Sequence, residues 1–390
     1  MAIEGRSEKA SGRIRLGMVG GGQGAFIGAV HRLAARMDDH YEFMAGALSA
    51  DAEKARQSGK ELGLAPDRIY TDFGQMAKAE AGRRDGIEAV SIVTPNHMHA
   101  PVARAFIAAG IHVICDKPLA FNLKEAKALE RLLASKKRVI FALTHNYAGY
   151  PMVRQAKAMV AAGELGEIRL VQGEYPQDWL TTPLEKTGQK QAAWRTDPKR
   201  SGAGGSIGDI GTHTYQLMCD ISGLAAGELA ADLTTFVKGR RLDDNAHVML
   251  RFKGGARGML WASQVAPGNE NGLKVRVYGT KGGLEWSQVD PNYLWYTPLG
   301  EPKQLITRGG AGSTAPAGRV TRVPPGHPEG YLEGFANIYG EVARAIKAAR
   351  AGRKPDREVS FPGIADGVAG MAFIEACVRS SAKNGKWMKL

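Results

Sequence analysis

Gly208-Asp209-Ile210-Gly211-Thr212-His213 places a carboxylate and an imidazole four residues apart. At helical spacing the two side chains lie one turn apart on one face and point at one spot. Upstream, Cys115-Asp116-Lys117-Pro118 ends a short apolar run with a lysine. A base that takes a hydroxyl proton and a cation that holds the oxygen as it gains charge are what redox chemistry at a hydroxyl-bearing carbon asks of a protein. Lys117, Asp209 and His213 are therefore the catalytic candidates. His213 is the expected proton acceptor. Lys117, once desolvated, either loses its proton more easily or donates to the reacting oxygen. Asp209 binds a neighbouring hydroxyl or orients the imidazole. Each has an ordinary alternative: a surface lysine, a helix N-cap, a buried and satisfied histidine. Together these alternatives weaken, because the glycines between Gly202 and Gly208 bring the helix start close to another element.

Such groups need a hydride carrier, and the first third of the chain has the pattern of a site for one. Gly20-Gly21-Gly22-Gln23-Gly24-Ala25-Phe26-Ile27-Gly28 follows a strand and precedes a helix. In that setting the backbone approaches a pyrophosphate and the helix N-terminus stabilises its charge. Gly20, Gly22, Gln23, Phe26 and Ile27 are the candidate contacts. The second strand ends in Ala47-Leu48-Ser49, without the acid that usually holds the adenine ribose of NAD. Ser49 with Lys54 tips the expectation slightly toward NADP, whereas Asp51 could instead reach a ribose. The third strand ends in Thr94-Pro95-Asn96-His97-Met98-His99, making Thr94, Asn96 and His99 further candidates on the same sheet edge, with His97 and His99 more often capping or packing groups.

The positioning elements follow from periodicity. Apolar runs at 14–19, 43–48, 89–94, 112–115 and 139–144 alternate with amphipathic helical segments, including 101–109 and 123–135, which predicts a doubly wound parallel sheet. After a helix over about 152–162 the period changes to alternation. Strands are expected at 167–175, 228–237, 245–252, 256–265, 274–279 and 283–287, with Gly-Gly turns at Gly254-Gly255 and Gly282-Gly283. His247, Met249 and Arg251 alternate with Val248, Leu250 and Phe252, the pattern of an antiparallel sheet with one wet face. Residues 308–325 read as a loop that is mobile or closes over a ligand, and two helices, 330–352 and 364–384, close the chain. The predicted fold class is α/β plus α+β: a Rossmann domain at 13–145 and a C-terminal domain at 146–390 with a large open, mainly antiparallel sheet. Residues 1–12 read as a disordered or tag-like N-terminus.

Composition narrows the function classes. At 390 residues two domains are the natural expectation. No apolar stretch has the length of a membrane helix, and the N-terminus lacks the apolar block of a secretory signal, so a cytoplasmic protein is expected. Three cysteines, Cys115, Cys219 and Cys377, lack the spacing of a zinc site or disulfide framework and read as buried thiols; no metal is expected. The net charge of +13 comes from scattered residues, so a solvated basic surface is favoured over a nucleic-acid partner.

Taken together, these residues resemble the Gfo/Idh/MocA group of oxidoreductases. The resemblance rests on Val19-Gly20 through Gly28 with His31, Thr94-Pro95-Asn96, Lys117-Pro118, His145-Asn146-Tyr147 with Pro151, Trp194-Arg195, and Asp209-x-Gly211-x-His213. It implies a Rossmann domain, an open-sheet C-terminal domain, and NAD(P)-dependent oxidation or reduction of sugars and polyols. It assigns Lys117, Asp209 and His213 to catalysis, places Trp194 and Arg195 near the nicotinamide, and adds Asn146 and Asp116 on the cofactor side. Asp116 stands where the group usually has glutamate. The resemblance also implies a homodimer or homotetramer built through the open sheet. Tyr147, Gln177, Trp179 and Arg195, with the catalytic set, are the substrate candidates, since aromatic faces beside amides suit a ring bearing several hydroxyls. Lys190 or Arg195 could instead read an acidic group. The leading expectation is hydride transfer between nicotinamide and a ring hydroxyl or ketone of a sugar, glycoside or cyclitol. Two alternatives remain: a glycoside hydrolase that oxidises the sugar transiently with a retained cofactor, and a nucleotide-binding sensor without turnover.

Overall fold

The computed structural model describes residues 12–390; of the N-terminal segment expected at 1–12, all but the exposed Gly12 lies outside the described residues. Five parallel strands, β1 (Ile14–Gly20), β2 (Tyr41–Ala47), β3 (Ala89–Val93), β4 (His112–Cys115) and β5 (Phe141–Leu143), form the first sheet in the order β2-β1-β3-β4-β5. All five residues of β3 are buried, as befits a strand covered on both faces. Helices α1 (Phe26–Met37), α2 (Ala52–Glu61), α3 (Phe73–Gly82), α4 (Asn96–Ala108) and α5 (Leu123–Ser135) supply the crossovers. Strand order reverses at β1, which places the crevice for a ligand beyond the carboxyl ends of β1 and β3. Helix α4 begins at Asn96, not at Pro101. The proline sits inside the helix, where its missing N–H removes only one bond of the ladder.

The second sheet has nine strands: β6 (Ile168–Pro176), β7 (Ala226–Thr234), β8 (Asn245–Phe252), β9 (Arg257–Ser263), β10 (Lys274–Gly279), β11 (Gly282–Ser287), β12 (Tyr293–Pro298), β13 (Gln304–Thr307) and β14 (Met388–Lys389), ordered β13-β12-β11-β10-β6-β9-β8-β7-β14. Among the described residues, the one parallel pairing of this sheet is β6 with β9. Strand β8 alternates as its sequence demands, with Val248, Leu250 and Phe252 buried and His247, Met249 and Arg251 exposed. The turn between β10 and β11 falls on Thr280-Lys281, and Gly282-Gly283 lies inside β11. There a side chain on Gly283 would strike the Tyr278 ring, so small residues serve cross-strand packing and not the turn.

Five helices flank these strands before and after the site: α6 (Pro151–Ala161), α7 (Lys190–Arg195), α8 (Pro198–Ser201), α9 (Thr212–Ser222) and α10 (Ala315–Gly318). The segment expected as a loop at 308–325 carries α10 and is packed in place. The Arg308 guanidinium, 2 % exposed, pairs with Glu329 at 3.0 Å and donates to the carbonyls of Val323 and Pro324. Two long helices, α11 (Tyr331–Arg350) and α12 (Ile364–Ser381), close the chain. Helix α11 returns to the first sheet: Phe335, Tyr339, Val342 and Ile346 share one core with Ile14, Leu16, Val30 and Tyr41. Burying each such side chain stabilises the fold by about 1.5–3 kcal/mol. Cys115 and Cys377 are buried free thiols and Cys219 is partly buried.

Candidate active site

The carboxylate of the motif does not sit in an ordinary helix. Residues Ile207–Gly211 form one π-helical turn that runs directly into α9, a widened turn of the kind found at functional sites. Its start carries no local cap. The cap comes instead from Asp243, before β8, whose carboxylate accepts from Gly205 N–H at 2.6 Å, Ile207 N–H at 2.8 Å and Ser206 Oγ at 2.7 Å. Burial pushes the Asp243 carboxyl up while these donors pull it back. A side chain on Gly205 would lie 2.0 Å from the Asp243 carbonyl oxygen, so only glycine permits this close approach. The neighbouring Asp244 accepts from Arg240, which also holds Glu185 and the Leu180 carbonyl. Two consecutive aspartates thus anchor the π turn and the segment beside it.

Lys117, at the end of β4, reaches this turn across 92 positions of sequence. Its Nζ lies 3.0 Å from Asp209 Oδ1 and 2.5 Å from the Asp209 carbonyl oxygen. The other carboxylate oxygen meets Arg195 Nε at 3.2 Å and accepts from Gln264 Nε2 at 2.9 Å. Burial alone would raise the Asp209 carboxyl, but Lys117 and Arg195 hold it below the usual carboxylate range. Asp209 is therefore an anion engaged with two cations, and its carboxylate faces Lys117 where the sequence had allowed it to orient the imidazole. The ring of His213 instead meets Tyr147 and His145 edge-on, with centroids 5.0 and 5.4 Å away, and Tyr175 at 6.3 Å. Burial, then Lys117 and His145, drives its pKa well below the ordinary value. For His145, burial and Lys117 bring the pKa down to about 3. Two neutral imidazoles stand beside one ammonium, and the Nδ1 atoms of both are buried without a partner among the described residues.

The opposite wall is aromatic and amide-rich. Arg195 lies over the Trp194 ring at 4.3 Å and over Trp179 at 6.0 Å, and donates to Gln191 at 2.5 Å. Trp179 Nε1 donates to Gln177 Oε1 at 3.1 Å, and Gln177 Nε2 to Asn271 Oδ1 at 2.8 Å. Tyr175 donates to the same oxygen at 2.6 Å, and its hydroxyl lies 2.6 Å from that of Tyr147. All four substrate candidates beyond the catalytic set thus line one wall. Lys190 begins α7 and is exposed.

On the cofactor side, a side chain on Gly28 would lie 2.4 Å from Gly21 Cα, so the glycine loop and α1 touch through backbone alone. Phe26 is exposed where α1 starts, and Ile27 packs inward beneath it. Gln23 is tied to α2, its N–H donating to Ser58 Oγ at 3.1 Å and its side chain to Glu61 at 2.6 Å. The Asp51 carboxylate caps α2 by accepting from the Lys54 N–H, and the Asp51 backbone N–H donates to Ser49 Oγ. Asn96 donates to the Ser201 carbonyl at 2.9 Å, and His99 bridges the carbonyls of Thr94 and Pro118 at 2.8 and 2.6 Å. Both shape the crevice floor through backbone contacts. Asp116 Oδ1 accepts from Lys117 N–H at 2.8 Å and from Thr144 Oγ1 at 3.1 Å. Thr94 Oγ1, His97 Nδ1 and Asn146 Nδ2 are buried without a partner among the described residues. Buried polar atoms lacking partners are costly, and a polar dinucleotide lying over the edge of the sheet would supply them. The residues present fit such a cofactor.

Comparison with known proteins agrees. Residues 14–145 match the oxidoreductase family with an NAD-binding Rossmann fold, and residues 153–285 match the GFO/IDH/MocA C-terminal domain. The chain belongs to the Gfo/Idh/MocA oxidoreductase family. An oxidoreductase from Sinorhizobium meliloti is 60% identical, with a TM-score of 0.89 over 97% of this chain and 100% of that one. An inositol dehydrogenase homolog from Azotobacter vinelandii, complexed with NADH and myo-inositol, is 37% identical, with a TM-score of 0.90 over 97% of this chain and 98% of that one. Levoglucosan dehydrogenase of Pseudarthrobacter phenanthrenivorans is 29% identical over 95% of this chain and 96% of its own length. Among the described residues no helix is long and apolar enough to cross a membrane.

Sequence reasoning named Lys117, Asp209 and His213, and the structure brings them together. It missed Gln264, Asn271 and Asp243, and gave His145 no role of its own. Gln264 falls within the strand expected at 256–265, where nothing in the alternation marks it as facing the motif. Asn271 and Asp243 lie in loops and carried no signal.

Proposed function

We propose that this protein transfers hydride reversibly between NAD(H) and a ring hydroxyl or ketone of a cyclitol or sugar. The observation that carries the reading is the meeting of the Lys117 ammonium, the Asp209 carboxylate and the neutral His213 imidazole, with His213 Nδ1 without a partner among the described residues. A nicotinamide ring, when bound, accepts or returns the hydride. His213 takes the hydroxyl proton, because burial keeps the imidazole in its basic form. Lys117 holds the oxygen as it gains negative charge, and Asp209, fixed by Arg195 and Gln264, holds Lys117 in place. Thr94, Asn146, Asp116 and the glycine loop would hold the cofactor. Asp51, fixed as an anion where β2 ends, favours NAD(H) by repelling a 2'-phosphate, against the pull of Lys54 toward NADP(H); the A. vinelandii relative with NADH supports the same choice.

The open face of the nine-stranded sheet exposes Met249 and Met259 by 56% and 54%, and we propose it as a self-association surface, tested by sedimentation. The substrate test is a panel led by myo-inositol and levoglucosan, with NAD and NADP supplied separately and nicotinamide absorbance followed with product. Turnover of a polyol or sugar with NAD supports the reading. Product from a glycoside without added cofactor would favour the retained-cofactor hydrolase, and binding without product the sensor.

A further inference from the structure

The polar chain from Trp179 to Tyr147 has a direction, and one atom sets it. An indole N–H donates and never accepts, so the Gln177 atom 3.1 Å from Trp179 Nε1 is the amide oxygen. The Gln177 nitrogen then faces Asn271, whose oxygen accepts at 2.8 Å. That oxygen also accepts the Tyr175 hydroxyl at 2.6 Å, which uses the one proton Tyr175 has. The 2.6 Å contact between the two phenols is therefore made with the proton of Tyr147. Asn271 Nδ2 is left facing the Tyr147 oxygen at 3.4 Å. Tyr147 and Tyr175 are each 3% exposed, and burial pushes both phenol pKa values up, so neither proton leaves the circuit at neutral pH.

We propose that Asn271 is a positioning residue which, with the Trp179 indole as a one-way terminus, commits the Tyr147 proton to Tyr175, so that toward any other group the Tyr147 oxygen can only accept. Two consequences follow. Tyr147 does not act as an acid beside His213, although their rings touch. Any substrate hydroxyl that reaches the Tyr147 oxygen has to donate to it, so at that position the site selects hydroxyl over groups that only accept. The second consequence rests on the polyol reading given above; the proton direction is a property of the protein itself.

The two parts are tested separately. Neutron diffraction of the NAD-loaded protein in deuterated solvent is expected to show the deuteron between the phenols bonded to Tyr147. In Trp179→Phe, which frees Gln177 to turn over, it is expected to divide between the two oxygens. A deuteron on Tyr175 in the wild type, or an undivided one on Tyr147 in the variant, overturns the assignment. For selectivity, myo-inositol is compared with its deoxy and deoxyfluoro derivatives, since fluorine accepts weakly and cannot donate. At one ring position both derivatives are expected to lose at least about 10-fold in kcat/KM equally, with Trp179→Phe recovering the fluoro derivative over the deoxy one. Asn271→Leu is expected to raise KM about 10-fold with a smaller change in kcat. Fluoro derivatives that match myo-inositol at every position overturn the selectivity. If myo-inositol is not turned over at all, the functional reading fails for that substrate, and the neutron result still decides the proton direction.

Discussion

The two sheets serve the site in different ways. At the edge of the first, backbone shapes the crevice: glycine meets glycine where the loop crosses α1, and His99 and Asn96 hold carbonyl groups. At the second, side chains make two circuits, one around Asp209 and one from Trp179 to Tyr147. The glycine contact and the His99 contacts join residues near one another in sequence, whereas the Asn96 contact and both circuits depend on residues brought together by the fold. Substitutions should therefore act on cofactor affinity in the first region and on turnover in the second.

The largest expected effect is that of Lys117→Ala. Removing the cation that holds the developing charge should lower kcat by about 10³-fold, and Lys117→Arg should not restore it, because a planar fork does not replace a point charge. NAD affinity, measured by fluorescence quenching, should change far less. A matching loss of both would erase the distinction between the two regions. The reciprocal change is Gly28→Ala, whose added methyl would lie 2.4 Å from Gly21 Cα. Overpacking of this kind costs about 1–3 kcal/mol, which should weaken NAD binding by roughly 10- to 100-fold while kcat at saturating NAD is largely kept.

A smaller effect tests the circuit itself. Gln264→Leu removes the N–H that Asp209 Oδ2 accepts at 2.9 Å, and a hydrogen bond to a charged group contributes about 1.5–3 kcal/mol. Arg195 still holds the same oxygen, so about a 10-fold fall in kcat is expected. Gln264→Glu should do more harm, because a second carboxylate beside Asp209 raises its pKa and introduces a new acid limb in the pH profile. Equal effects of the two variants would mean that Gln264 only fills space.

The same contrast explains what could be read in the sequence. The parallel sheet was legible because its strands are short apolar runs separated by helical periods, and β4 and α5 fall where the pattern put them. Strand β8 was legible through alternation. Strands β12 and β13 were not, because in Tyr293–Pro298 the rings of Tyr293 and Trp295 stand on the exposed side of Leu294, so residue type does not alternate as burial does. The Asp209-to-His213 spacing was legible as proximity but not as partnership. The π turn and the arrival of Lys117 from β4 decide which group the carboxylate faces, and neither is a local property. Asp243 caps that turn from 36 positions away in sequence, so no capping signal stands next to the motif.

The smallest effect expected is none: kcat/KM should be flat from about pH 6.5 upward as far as the histidine is concerned. His213 works as a base, so activity requires its neutral form and is lost when it is protonated. Burial, Lys117 and His145 all lower its pKa from 6.5, so the imidazole is already neutral at pH 6.5 and the acid limb lies below it. An acid limb centred at or above pH 6.5 would mean that another group takes the proton. Stability has the same sign in that window. His31, fully buried against Tyr339 at 2.9 Å, has its pKa lowered to about 4 from 6.5, mainly by burial. The unfolded chain therefore binds its proton first as pH falls. The stability held above pH 6.5 is lost progressively toward pH 4, at about 1.4 kcal/mol per pH unit for each such histidine. Measuring kcat/KM and the denaturation midpoint over the same range separates the two. Replacing His31 by Gln should blunt the loss of stability and leave the kinetic limb where it is, because His31 belongs to the core between α1 and α11 and His213 stands apart from it, against the rings of Tyr147 and His145.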